Sequence, residues 1–140
     1  MSDVIDPTRT IYRFVHNPHS GNPARNAKIR AAVEQFIRAR QLKATVVETG
    51  APAHATQLAR EAVSEGCDVV VPGGSGNGLG RHLGLQGSIP QALETLMGGR
   101  IRSIDTGEAA RQPFFNVMGV GYDAVLSERF NRLTRRGLRS

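Results

Sequence analysis

Hydrophobic positions along the chain fall into two patterns that take turns, short β-branched runs and stripes spaced for a helix. Thr10-Ile-Tyr-Arg-Phe-Val-His16 is the first run, rich in residues that suit a pleated surface. It meets Asn17-Pro-His-Ser-Gly-Asn-Pro23, where the prolines bar a continued strand and Gly21 permits a sharp turn. Asn22 followed by Pro23 is a cap and first-turn pair. Ile29, Val33, Phe36 and Ile37 then recur at i, i+4, i+7 and i+8, one apolar stripe of a helix whose other positions carry Arg25, Lys28, Arg30, Arg38 and Arg40. Ala44 to Thr49 is the second strand, and Gly50-Ala-Pro52 turns the chain with Pro52 placed for a helix start. Leu58, Ala59, Ala62 and Val63 mark a second short helix, with Gly66 just past its end. Cys67 to Val71 is the third strand. Its Val69-Val-Val71 run has the composition of a strand covered on both faces, and Pro72 is expected to end it.

Strand–helix–strand–helix–strand with helix-length spacers predicts an α/β fold: a doubly wound, mainly parallel sheet with right-handed crossovers and helices on both faces. In such sheets ligands bind beyond the carboxyl ends of the strands. The loops Asn17–Asn22, Thr49–Pro52 and Pro72–Gly78 are therefore expected side by side on one edge. Downstream, Ser88-Ile-Pro-Gln91 has capping-box spacing ahead of a short helix with Ala92, Leu93, Leu96 and Met97, closed by Gly98-Gly99. Arg100–Thr106 and Pro113–Val117 read as a short antiparallel pair joined by a polar turn. Gly119-Val-Gly-Tyr-Asp-Ala124 leads into a basic C-terminal helix with Val125, Leu126, Phe130 and Leu133. No repeat, low-complexity tract or linker interrupts the pattern, so residues 1–140 read as a single domain.

Composition narrows the classes. The 140 residues are 39% hydrophobic but only 5% aromatic, with no Trp, so the core is to be built mainly from Ala, Val, Leu and Ile. Sixteen Gly suit tight turns or a glycine-lined site better than a helical bundle. The net charge of +6 favours anionic partners: nucleotide phosphates, anionic lipid or nucleic acid. Few aromatics and no stacking module set nucleic acid aside. Cys67 is the single cysteine, which bars an internal disulfide and fits a reducing compartment. At the head of a strand it reads as a packed small hydrophobe rather than a nucleophile. No apolar run approaches the ~20 residues of a membrane span. Met-Ser-Asp-Val-Ile-Asp-Pro7 lacks the basic and apolar regions of a secretory signal, so the expected location is the cytoplasm.

The densest chemical signal is Pro72-Gly-Gly-Ser-Gly-Asn-Gly-Leu-Gly80, where the third strand meets a helix opening at Gly78 or Leu79. Glycines let backbone N–H groups approach a ligand closely, and a helix start adds the positive end of its dipole. Phosphate suits that geometry. The spacing matches neither Gly-x-x-x-x-Gly-Lys-Ser/Thr nor Gly-x-Gly-x-x-Gly, and a flexible glycine turn without ligand accounts for the same residues. Asn17 either contacts nucleotide or ends its strand, and His19 reads as a solvated turn histidine. His54 and His82 lie on helices without a second metal ligand at suitable spacing, so no metal site is read. Ser75 lacks the Gly-x-Ser-x-Gly elbow because Asn77 stands in its last position. For Asp105 an Asx turn, and for Asp123 an N-cap, explain the residue as well as catalysis does. Arg129, Arg132, Arg135, Arg136 and Arg139 describe either a solvated face or a contact with an anionic membrane surface.

Four stretches together resemble the diacylglycerol kinase catalytic-domain family, the lipid kinases that also include sphingosine kinases and bacterial lipid kinases. They are Asn17-Pro-His-Ser-Gly21, Pro72-Gly-Gly-Ser-Gly-Asn-Gly78, Ile104-Asp-Thr-Gly107 and Gly119-Val-Gly-Tyr-Asp-Ala124, in the family's order from about Arg13 onward. The resemblance implies the family's nucleotide-binding domain and ATP-dependent phosphorylation of a lipid hydroxyl, such as that of diacylglycerol or a sphingoid base, with Mg2+. By motif matching it brings Asn17, Ser20, Gly21 and Thr49 to the nucleotide, with Gly73, Gly74, Ser75, Gly76 and Asn77 as a second phosphate-side loop. Tyr122 and Asp123 are similar to a segment near the acceptor-lipid entrance. The catalytic group is left open, with Asp123 as candidate.

Two departures shape what is expected. Relatives carry Gly-Gly-Asp-Gly-Thr after the third strand, then a helix and a fourth strand ending in Pro-Gly-Gly-Ser-Gly-Asn, whereas here Val71 joins Pro72 directly. Relatives also continue into a β-rich second domain that helps form the lipid pocket. The expectation is a shortened lipid kinase represented by its nucleotide-binding portion. The alternatives are an inactive nucleotide- or membrane-binding remnant and a subunit completed by another chain. A sheet short of one strand and its helix implies an exposed apolar edge, with marginal stability or self-association.

Overall fold

The computed structural model describes residues 4–20, 22–73, 78–82, 88–115 and 121–132. It divides into two compact units, Met1–Arg102 and Ser103–Ser140. The first contains β1 (Ile11–His16), α1 (Pro23–Arg40), β2 (Lys43–Glu48), α2 (His54–Ser64), β3 (Val69–Gly73), α3 (Gly78–His82) and α4 (Ile89–Gly98). The second contains β4 (Gly107–Ala109), β5 (Gln112–Phe114) and α5 (Tyr122–Arg132). The architecture is α/β: a parallel three-stranded sheet in the order β2-β1-β3, with helices and a short antiparallel pair.

β1 is the central strand, and its even positions are the most buried in the sheet. Tyr12 and Phe14 are buried and join Leu93 of α4 in the core, packed by Val33, Phe36 and Ile37 of α1 and Val46 of β2. The Tyr12 hydroxyl donates to the Leu96 carbonyl (3.3 Å), which gives the buried phenol a partner. Arg40 pairs with Glu94 (2.5 Å) and lies over the Phe36 ring, tying the end of α1 to α4. α2 packs on β1 and β3 with Leu58 and Ala62 buried.

The helix ends follow their capping residues. Asn22 Oδ1 accepts from the N–H of Ala24 (2.8 Å) and of Arg25 at the start of α1. Ser88 and Gln91 form the expected capping box on α4, Ser88 N–H donating to Gln91 Oε1 at 2.8 Å. Gly66, at φ +79°, is the left-handed residue past α2, which begins at His54 rather than at Pro52.

Three expectations need correction. Pro72 does not end β3, which runs on to Gly73. The Gly73 carbonyl faces β1, where it accepts from Asn17 N–H (2.9 Å), so Pro72, one residue earlier, turns its missing N–H to the outer edge. The antiparallel pair is not Arg100–Thr106 with Pro113–Val117. It is Gly107–Ala109 with Gln112–Phe114, closed by Ala110 and Arg111 at φ 49° and 62°. Positive φ at both central residues matches the twist of a two-residue hairpin, and without Gly or Asn there the sequence hid the turn. Gly107 lies opposite Phe114, whose ring occupies the space a Cβ would need. Finally, Asp123 is not the N-cap of α5 but sits inside its first turn, with Val125 N–H donating back to the Gly121 carbonyl.

Candidate functional site

The register of the sheet brings three strand ends to one edge. His16 lies opposite Glu48 of β2 and Gly73 of β3. Just beyond, Thr49 N–H donates to the His16 carbonyl (2.9 Å) and Asn17 N–H to the Gly73 carbonyl (2.9 Å). The loops after β1, β2 and β3 therefore leave the sheet from adjacent strands at their carboxyl ends, where open α/β sheets bind ligands.

The first of these loops is held from beneath. Asn17 Oδ1 accepts from His19 N–H (2.9 Å), and Ser20 N–H donates to the Asn17 carbonyl (3.2 Å). Asn26, on the first turns of α1 and only 6% exposed, donates from one amide nitrogen to the carbonyls of Pro18 (2.9 Å) and Ser20 (2.5 Å). Two loop carbonyls are thus spent on the helix below, and the loop is set against the N-terminal end of α1, whose dipole favours an anion. Asn17 has a structural role through its side-chain oxygen. The second loop is fixed by His54, whose Nδ1 accepts from Gly50 N–H (2.9 Å).

Thr49 is 9% exposed, and among the described residues its hydroxyl is not a buried atom left without a partner, a state that only Arg13 Nε shows. The hydroxyl sits at the edge on the residue that follows β2. His16 is buried beside it, without a side-chain partner among the described residues. Glu48 is engaged by Arg30, which also holds Glu34; both carboxylates keep the guanidinium protonated and raise its pKa. A Cβ on Gly73 would meet the Val15 carbonyl at 3.4 Å, an ordinary contact, so the position has room for a small side chain. At the edge lies a cavity of about 130 Å3 whose lining is mostly apolar, with Phe14, Val33, Val71 and Leu93, and includes His16 and Arg30.

Of the residues expected at the site, Asn17, Ser20, Thr49 and Gly73 belong to this edge. Gly21, Gly74, Ser75, Gly76 and Asn77 lie outside the described residues. Asp123 belongs to the second compact unit, exposed in the first turn of α5. No group of three or more His, Cys, Asp or Glu suited to a metal ion occurs among the described residues.

The model of the diacylglycerol kinase catalytic domain matches the chain over residues 12–71 and 69–109. The chain belongs to the diacylglycerol kinase catalytic domain family. The two pieces of the match share Val69 to Val71, so the break falls on β3, where the sequence passes straight from Val71 into Pro72. No curated protein and no solved structure gives a significant match. No helix among the described residues of this lipid kinase family member is long and apolar enough to cross a membrane.

Two residues of the edge escaped the sequence reading. Asn26 precedes Ile29 and Val33 at helical spacing, and an amide on an apolar stripe signals a buried hydrogen-bonding task. His16 is the last residue of its strand in the same alternation as Tyr12 and Phe14, which puts an imidazole on the buried face at the carboxyl edge.

Proposed function

We propose that this chain is the nucleotide-binding portion of an ATP-dependent lipid kinase, holding the phosphates of ATP over the loops after β1, β2 and β3 for transfer to a lipid hydroxyl. The observation that carries this reading is the side-by-side departure of the three loops, fixed by the bonds from Thr49 N–H to His16 and from Asn17 N–H to Gly73. Membership of the family supports the reaction class. The residues fit ATP: the Thr49 hydroxyl just past β2, a loop pinned by Asn26, and the N-terminal end of α1. Gly21 and Gly74 to Asn77 complete the cradle in this reading, and Asp123 remains the candidate catalytic group.

Magnesium fits less well as a resident ion. It is usually held by one or two carboxylates together with substrate phosphates, and Glu48, beside Thr49, is committed to Arg30. Mg2+ is therefore read as arriving with ATP.

A second reading, a nucleotide-binding member that transfers nothing, is favoured by the direct Val71–Pro72 junction. The family's Gly-Gly-Asp-Gly-Thr acid has no counterpart there, and phosphoryl transfer depends on positioning and charge stabilisation. Among the described residues β3 forms an edge of the sheet, where Pro72 withholds a donor from any strand that would pair across it. Labelled ATP with Mg2+ tests these readings. ATP binding that Thr49→Val weakens about tenfold or more, as the loss of a hydrogen bond to a charged group implies, supports the nucleotide edge, and no ATP binding overturns it. Transfer to diacylglycerol or sphingosine supports the kinase. Binding without transfer selects the second reading, and transfer restored by another polypeptide makes the chain a subunit.

A further inference from the structure

The cavity at the carboxyl edge lies wholly within the first compact unit, between the sheet and the helices α1 and α4. Phe14, Val33, Val71 and Leu93 make its wall apolar, and its volume of about 130 Å3 approaches the ~150 Å3 that holds a benzene ring. His16 breaks that wall. It is only 7% exposed, yet its imidazole has no hydrogen-bond partner among the described residues. Its nitrogens are not sealed in protein either, since Arg13 Nε alone is in that state among the described residues. Nδ1 lies 3.8 Å from where a Cβ on Gly73 would stand, and both residues line the cavity. A side chain more than nine-tenths buried, with nitrogens that still reach open space, turns them to the hollow it lines.

The lining also includes Arg30, but its guanidinium is already held between Glu34 and Glu48, so no free cation selects the ligand. An ion set against apolar walls without a paired charge is costly to desolvate. The molecule that fits is therefore neutral, ring-sized and carries one hydrogen-bonding group. A hydroxyl suits it best, because a hydroxyl donates to a bare imidazole nitrogen or accepts from its N–H and so pairs with either tautomer.

We propose that this cavity binds a small neutral phenol or alcohol, its apolar body against Phe14, Val33, Val71 and Leu93 and its hydroxyl on the His16 imidazole. The inference goes beyond the nucleotide reading and does not rest on it. Its test uses neither nucleotide nor phosphoryl transfer, so the two fail separately.

The full chain, isotope-labelled for NMR, is titrated with phenol and with toluene, which has the same shape but a methyl in place of the hydroxyl. Both are expected to bind saturably and to shift the methyl signals of Val33, Val71 and Leu93. His16→Leu weakens phenol about fivefold, the worth of one hydrogen bond, while toluene keeps or gains affinity. His16→Gln, which restores a donor and an acceptor, recovers part of the phenol binding. Val33→Phe fills the cavity and removes both ligands. Toluene binding retained by His16→Leu shows that this variant keeps the cavity, so it gives a reading independent of any misfolding in Val33→Phe. Absence of saturable phenol binding overturns the proposal, as do shifts confined to the second unit, or equal weakening of phenol and toluene by His16→Leu. Phenol binding left intact by both His16→Leu and Val33→Phe overturns it as well.

Discussion

Tyr12, Phe14, Leu58, Ala62 and Leu93 are buried in the first compact unit, whereas no residue from Ser103 to Arg132 whose side chain is described reaches that state. The first unit is held by apolar contacts between distant stretches of chain, β1 meeting α1, α2 and α4. The second is held by local backbone geometry: the left-handed pair Ala110–Arg111, Phe114 over Gly107, and the opening turn of α5. Contacts of the first kind are expensive to lose and tolerate little change. Local geometry of the second kind leaves side chains on the surface, Tyr122, Val125 and Leu126 of α5 among them.

The sharpest way to break this contrast is to truncate one phenylalanine in each unit. Phe14→Ala should cost about 3–5 kcal/mol and lower the melting temperature by many degrees, because the buried ring is replaced by a cavity. Phe115, 51% exposed, should change stability by no more than ~0.5 kcal/mol when replaced by Ala. Comparable losses in chemical denaturation would mean that the second unit has a core of its own.

Next in size is Asn26→Ala, which leaves the Pro18 and Ser20 carbonyls without their donor beneath the first loop. A cost of about 1–3 kcal/mol is expected, together with weaker ATP binding. Asn22→Ala serves as the control: loss of the α1 cap should cost ~1 kcal/mol with a smaller effect on the nucleotide. If both variants bind ATP as the parent chain does, the loop after β1 has no part in the site.

The two units also differ in how far the sequence revealed them. In the first, β-branched runs and helix-spaced stripes fell where the strands and helices are, since burial imposes a period on the residues it selects. Asn22, Ser88 with Gln91, and Gly66 marked helix ends through the hydrogen bonds or φ angles they supply. The boundary error there was Pro72, and it arose because an edge strand tolerates a proline that a central one does not. At the carboxyl edge of the sheet, the positions of Thr49 and Asn17 directly after strands were legible, while their contact with nucleotide came only from the family resemblance. Asn26 and His16 were not, because their importance comes from burial, which only the packed chain defines. In the second unit no burial enforces a period, and the hairpin turned on residues without turn chemistry.

That hairpin gives the third prediction, and here the change should stabilise. Ala110 and Arg111 sit in the left-handed region, which costs non-glycine residues roughly 1–2 kcal/mol each. Replacing them together, Ala110→Asn with Arg111→Gly, installs the pair preferred in such turns and should stabilise β4–β5 by about 1 kcal/mol. Slower amide exchange at Ala109 and Phe114, with an unchanged melting temperature for the sheet, is the expected result. A rise in the melting temperature of the first unit would show the two units to be energetically coupled.

The smallest effect belongs to the turn that leads into β1. Asp6 Oδ1 accepts from the Thr8 N–H (3.0 Å) and hydroxyl (2.7 Å), and these bonds hold its pKa below the ordinary carboxylate value. A carboxyl with a depressed folded-state pKa contributes stability above its unfolded-state value, and that contribution is lost as the pH falls through the folded-state value. The chain should therefore weaken on acidification below the usual carboxylate range, and Asp6→Asn should flatten that limb while leaving stability at neutral pH slightly lower. Asp6 is fully exposed, so the difference should be small and should shrink further in high salt only as far as Arg9 contributes, since the Thr8 bonds are short-ranged. An acid limb of denaturation unchanged in Asp6→Asn would mean that the Thr8 contacts persist in the unfolded chain, so that this local turn, although it belongs to the first unit, behaves like the locally held second.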